Sequence, residues 1–242
     1  MFDPRGPTFL ELARQALSST TKGYDLLAPK FEYTPFRTPD ELLGPLAEEV
    51  GPDGSIERAL DMGCGTGAAM AHLRRKCREE IVGVDLSEGM LKEARHLVEA
   101  SPGSATVRLE QGDLLEMEFQ EDFDVVTTVG AFGHILKDQQ EHFARQVWDA
   151  LRPGGRFLFV TAPMPPVVSR AYLISRLFNG AMHLRNALIK PEFIMFYLTF
   201  TQERAEEVLG ARGFELEVKA PYEDTPFAMM RLVIARRPLE AK

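Results

Sequence analysis

Two cysteines, Cys64 and Cys77, are all that the 242 residues contain. So few exclude a disulfide framework, and neither falls in a Cys or His spacing that would hold zinc. A reducing, cytoplasmic setting fits such a chain. No apolar run approaches the roughly 20 residues needed to span a bilayer. Met1 to Leu10 also lacks the basic start and apolar stretch of a secretion signal. Neither secretion nor a transmembrane segment is expected. Positive charge is scarce as well: 28 Lys and Arg stand against 36 Asp and Glu, a net charge of -8. That balance disfavours broad binding to nucleic acid and suits a small or neutral partner. Internal repeats and low-complexity tracts are absent. The 45% apolar content is enough for one well-buried domain with a small lid or cap.

What is present is a regular alternation of strand and helix, the pattern of a doubly wound parallel sheet covered by helices on both faces. After an N-terminal region that is helical in pieces, strands are predicted over Ile56 to Met62, Glu80 to Asp85, Thr106 to Gln111, Phe123 to Val129 and Arg156 to Thr161. Ser87 caps a helix over Glu88 to Glu99. Another over Asp138 to Leu151 repeats Phe143, Val147 and Leu151 on one face and stops at Pro153-Gly154-Gly155. A helix from Thr201 to Gly213 precedes strands at Phe214 to Ala220 and Met229 to Arg236. Their short connection predicts an antiparallel pair at the sheet edge.

The richest local pattern is Asp61-Met62-Gly63-Cys64-Gly65-Thr66-Gly67, a strand end running into a turn almost free of side chains, then a helix from Ala68 to Cys77. Glycines at such spacing admit positive φ and bring main-chain N–H groups onto a bound molecule. About twenty residues on, Asp85 ends the second strand in Val82-Gly83-Val84-Asp85-Leu86, where a carboxylate can accept both hydroxyls of a ribose. Gln111-Gly112-Asp113-Leu114 places a further carboxylate past the third strand, able to accept from an adenine amino group. Turn and capping roles for Asp85 and Asp113 are the structural alternatives.

Taken with Leu151-Arg152-Pro153-Gly154-Gly155 before the fifth strand, these motifs, in order and spacing, resemble the class I S-adenosylmethionine-dependent methyltransferases from about Glu57 to Phe159, and more loosely to the end. The resemblance implies a Rossmann-like sheet of seven strands, mostly parallel, with the last strand reversed. It further implies S-adenosylmethionine as cofactor. Asp61 and the backbone of Gly63, Cys64 and Gly65 would hold the methionine portion, and Asp85 the ribose. Leu86 would face the adenine, Asp113 with Gly112 and Leu114 would meet its edge, and Val129 and Tyr24 complete the cofactor set. Tyr24-Asp25-Leu26-Leu27-Ala28, with Phe31 and Tyr33, looks like the segment that folds over the cofactor in small methyltransferases, making residues 1–46 a helical lid. Tyr24 and Tyr33 either line the active site or pack with their hydroxyls at the surface.

Methyl transfer asks mainly for positioning, but an O–H, N–H or C–H acceptor must also lose a proton. His134, in Gly130-Ala131-Phe132-Gly133-His134 after the fourth strand, is the candidate base, with bracing of its loop as the alternative. His183 is a second candidate; His72, His96 and His142 fall on helices in surface or packing roles. The Thr127-Thr128-Val129-Gly130 loop lacks the Asn-Pro-Pro-Tyr type sequence of amino-methylating members, which argues against DNA adenine as acceptor. Cys64 reads as a small packed residue rather than a nucleophile, and no ligand set for a catalytic metal is evident. About forty residues opened by Pro163, Pro165 and Pro166 interrupt the pattern before Thr201, too long for an ordinary connection. This insertion, 163–200, is read as a helical cap, rich in large apolar groups and in Arg170, Arg176, Arg185 and Lys190. It serves equally as a pocket wall or as a homodimer surface. The best reading is therefore a methyltransferase acting on a small, apolar or aromatic acceptor. The alternatives are a non-catalytic cofactor-binding module whose insertion meets a protein or anionic membrane, and a dinucleotide oxidoreductase.

Overall fold

In a computed structural model, residues 3–120 and 122–239 are described; the first two residues of the 1–46 segment expected to be a lid lie outside them. The strands are β1 (Ile56–Met62), β2 (Cys77–Asp85), β3 (Thr106–Gln111), β4 (Phe123–Thr128), β5 (Leu151–Thr161), β6 (Glu215–Lys219) and β7 (Arg231–Arg236). They form one seven-stranded sheet in the order β3-β2-β1-β4-β5-β7-β6. The first five strands pair in parallel, and β7 runs antiparallel between β5 and β6. The doubly wound sheet with a reversed last strand is thus the observed architecture.

Helices clothe both faces because the central strands are buried on both sides: Ala59 to Met62 of β1 are buried without a break. On one face α6 (Gln140–Ala150) and α8 (Gln202–Arg212) cover the sheet. The buried residues of α6 are Gln140, Phe143, Ala144, Val147 and Ala150, a three- and four-residue rhythm that makes one stripe. On the other face lie α3 (Asp40–Val50), α4 (Ala68–Leu73) and α5 (Glu88–Ala100). Before them, α1 (Phe9–Ala16), α2 (Thr20–Leu27) and a 3-10 turn over Ala28–Tyr33 form the N-terminal region.

Two local readings are corrected. The helix after the glycine turn ends at Leu73, and Cys77 opens β2 rather than closing that helix. Pairing of Cys77 with Ile56 on β1 outweighs local helix preference. Pro153-Gly154-Gly155 does not separate helix from strand but lies within β5, which begins at Leu151. The register against β4 slips there, and Gly154 at φ +82 supplies the irregular residue. Of the 163–200 insertion, α7 (Arg170–Leu188) is helical, whereas 189–200 runs without regular structure.

An aromatic cluster joins α6 to the sheet and to the end of the insertion. Phe132 stacks on Phe200 at 4.6 Å, and the Phe143 ring meets Phe132, Phe157 and Phe200 at 5.9 to 6.2 Å. Phe143 is completely buried among them. Phe143→Ala is expected to cost about 3–5 kcal/mol through lost contact and the cavity left behind; chemical denaturation checks this, and a loss near zero would mean that the cluster collapses freely.

Candidate active site

One large cavity of about 650 Å³ opens at the carboxyl ends of the strands. That is where crossover connections leave β1 and β4 in opposite directions and open a crevice. The eleven cofactor candidates and the candidate base all line it: Tyr24, Asp61, Gly63, Cys64, Gly65, Asp85, Leu86, Gly112, Asp113, Leu114 and Val129, with His134. His183 and Tyr33 do not. The His183 ring stacks on Phe196 on the insertion, and Arg5 lies over the Tyr33 ring. His72 meets Asp40, and His142 meets the carbonyl of Leu115.

The carboxylates arrive from three adjacent strand ends. Asp61, buried at the end of β1, accepts a 2.8 Å hydrogen bond from the Thr127 hydroxyl, its register partner on β4. Asp85 at the end of β2 accepts from the backbone N–H of Gly65 and of Ser87, each at 2.9 Å, and so ties the glycine turn to the start of α5. All three glycines of the turn, Gly63, Gly65 and Gly67, sit at positive φ, and the first two face the cavity. Gly63 sits at φ +75, and a Cβ there would come within 2.7 Å of Ala131. Gly65 sits at φ +53 with nothing within 4 Å of where its Cβ would stand. The open space beside Gly65 belongs to the cavity, so bare backbone faces whatever binds there. Cys64 is buried beside Gly83, and burial pushes its thiol well above the ordinary range, which leaves it inert as a nucleophile.

Opposite the carboxylates, three distant segments meet. The Tyr24 hydroxyl, on α2, lies 3.0 Å from Nε2 of His134, and Nδ1 of His134 makes a close hydrogen bond to the carbonyl of Ile194 in the insertion. A carbonyl only accepts, so Nδ1 carries the imidazole proton, Nε2 offers its lone pair, and the Tyr24 hydroxyl donates to it. The Tyr24 ring also stacks on Phe193 at 6.0 Å. Burial lowers the pKa of His134, opposed in part by the Ile194 carbonyl. Burial, with the Asp85 charge adding to it, raises that of Tyr24. Both groups are therefore neutral around pH 7.

Several residues here gave no sequence signal. Asp25 of α2 accepts from the Ser87 hydroxyl at 2.6 Å and the Gly89 N–H at 3.0 Å, capping α5 from 62 and 64 residues away. Glu32 accepts from the Thr66 hydroxyl at 2.5 Å. The far wall, from Ile194 to Phe200, is assembled by the insertion. Local pattern carries none of these partnerships, because each joins segments that only the folded chain brings together.

The lining is lopsided in charge. It holds three carboxylates and, among the described residues, no lysine or arginine. Away from the ends of β1, β2 and β3 the walls are mostly apolar, with Phe31, Phe36, Phe132, Met195, Phe196 and Leu198 among neutral polar groups such as Thr38 and Tyr197.

Comparison with known proteins points to one family. A family described as a methyltransferase domain matches residues 59–155. A demethylmenaquinone methyltransferase of Symbiobacterium thermophilum is 31% identical over 112 residues, 45% of this chain, and the match spans only 44% of that relative's length. One from Deinococcus radiodurans is 30% identical over 176 residues, covering 69% of this chain and 71% of the relative. Among solved structures, an S-adenosylmethionine-dependent methyltransferase from Mesorhizobium loti superposes with a TM-score of 0.57 at 26% identity, covering 80% of this chain and 96% of the other.

Asp61 leaves a measurable mark. Burial pushes its carboxyl from an ordinary 3.8 up to about 7, against the Thr127 hydrogen bond and with Asp85 adding to the rise. Between those two values the unfolded chain has already released the Asp61 proton while the folded protein retains it, so rising pH favours unfolding. Without ligand, the wild type is expected to lose stability relative to Asp61→Asn as pH goes from about 4 to about 7. Denaturation midpoints of both proteins across that interval test this, and parallel profiles would refute it.

Proposed function

The chain belongs to the class I S-adenosylmethionine-dependent methyltransferase family, and on that footing we propose that its methyl acceptor is a small, apolar or aromatic molecule without negative charge. S-adenosylmethionine, the methyl donor of this family, supplies a methyl group already activated on a sulfonium sulfur. The residues present suit it. Asp61 is a buried carboxylate with a hydroxyl partner but, among the described residues, no cation facing it, which favours a ligand bringing an ammonium. Asp61 with the backbone of Gly63, Cys64 and Gly65 is assigned the methionine portion, and Asp85 the ribose. Leu86 takes the adenine face, and Gly112, Asp113 and Leu114 take its edge, with Val129 and Tyr24 closing over the site.

The observation that carries the acceptor reading is the lining itself. With no lysine or arginine in its lining among the described residues, the cavity offers an anionic acceptor no compensating cation. Aromatic and aliphatic walls favour an apolar body instead. Tyr24 and His134 form a hydrogen-bonded pair on that side able to handle a proton. A proton leaving the acceptor reaches Nε2 of His134 through the Tyr24 hydroxyl, which passes its own proton on as it takes the new one. The Ile194 carbonyl steadies the imidazolium that results. Demethylmenaquinone, the acceptor in the names of the two relatives, is the first compound to offer, beside hydroxylated aromatics and phosphorylated analogues.

Two measurements test this. In calorimetric titration, S-adenosylhomocysteine is expected to bind the wild type and to lose at least about tenfold in affinity, ~1.4 kcal/mol, in Asp85→Ala; equal binding would remove Asp85 from the ribose. In turnover assays with an accepted substrate, His134→Gln should lower kcat by about a hundredfold or more while S-adenosylhomocysteine affinity holds. An unchanged kcat would leave His134 as a brace, and turnover confined to phosphorylated acceptors would overturn the acceptor class.

A further inference from the structure

The long helix α7 is mounted the wrong way round. Leu173, Ile174, Leu177, Leu184 and Leu188 recur at three- and four-residue steps, with Ala181 between them, and so share one face about 100° wide. In a globular protein that face turns to the core. Here it turns to solvent: Leu177 and Leu188 are each 75% exposed and Ile174 66%. The helix is anchored elsewhere instead, by two amides and by the Phe178 and His183 rings, which meet Tyr197 and Phe196. Asn186 donates to the Phe193 carbonyl and accepts from its N–H, and Asn179 does the same for Tyr197. These two amides hold the stretch that forms the cavity's far wall, and the leucine face is left exposed.

Charge identifies what covers it. The whole chain carries -8, yet residues 162–191 contain Arg170, Arg176, Arg185 and Lys190 and no acidic residue. Arg170 and Arg176 are exposed and make no ion pair among the described residues. Arg185 donates to the neutral carbonyls of Ala16 and Ser18, which puts the exposed Leu17 beside the last turn of α7. A second copy of the same helix would set these arginines against each other with no carboxylate between them. An anionic bilayer surface supplies both the apolar layer and the opposite charge. No helix among the described residues is long and apolar enough to cross a membrane, so the contact lies along the surface.

We propose that α7, with Leu17 beside it, docks this protein on anionic phospholipid membrane by burying its leucine face among the acyl chains and setting Arg170 and Arg176 at the headgroups. The proposal is independent of which acceptor the cavity takes.

Sedimentation of the full chain with vesicles tests it. Binding is expected to vesicles of equal parts phosphatidylcholine and phosphatidylglycerol, to weaken in high salt, and to be far weaker on phosphatidylcholine alone. The double variant Leu177→Glu, Leu184→Glu should bind at least about tenfold less, and so should Arg170→Glu, Arg176→Glu, which disturbs no packing. Both variants should keep the wild-type melting temperature and S-adenosylhomocysteine affinity. Absence of the wild type from the anionic vesicle pellet, or equal binding by both variants, would overturn the proposal. So would a wild-type dimer in sedimentation velocity that the leucine substitutions dissociate while vesicle binding persists.

Discussion

The site depends on a single junction, where β1 and β4 lie side by side and send their chains away in opposite directions. Asp61 and Thr127 face each other across it, and among the described residues the hydroxyl is the one side-chain partner of that buried carboxylate. Burial works against its charge, which makes the strand end receptive to a positively charged ligand group. The neighbouring glycine turn needs this position too, since its backbone folds back so that the N–H groups of Gly63 and Cys64 both reach the Val84 carbonyl of β2. One junction therefore sets the carboxylate, the bare backbone and the second strand end at once.

Around that junction the N-terminal region is held by polar contacts rather than by a continuous apolar seam. Asp25 reaches the start of α5, Glu32 reaches Thr66, and Tyr24 reaches His134. Neither α1 nor α2 contributes more than a small buried surface: α1 buries no residue, and α2 buries Gly23 and Leu27. Segments tied down by a few hydrogen bonds open at lower cost than a packed core. Each of those three bonds ends on a residue beside or within the cavity.

The insertion follows the same economy. Its amide-bearing helix face grips the wall segment, its aromatic residues Phe196 and Phe200 enter the protein, and its leucines stay outside. The cluster of Phe132, Phe143, Phe159 and Phe200 makes the wall continuous with the core beneath β4 and β5. Floor and wall of the acceptor side are in this way one packed unit.

Much was legible in the chain because it is encoded locally. Alternating strand and helix, the glycine spacing after Asp61, and Asp85 and Asp113 at their strand ends are short-range patterns, each the direct outcome of backbone geometry or of side-chain period. Boundaries went astray where pairing overrides propensity, as at Cys77 opening β2 and at the Pro153-Gly154-Gly155 irregularity inside β5. The sequence by itself determined the sheet, its reversed last strand and which residues gather at the carboxyl edge. Only the tertiary structure decided that Tyr24, His134 and Ile194 form one hydrogen-bonded chain, that Asp25 caps a distant helix, and that the leucines of α7 face outward. The physical reason is range: periodicity says that a helix has an apolar face, but the direction in which it points is set by which partner segments, many residues away, bind its other side.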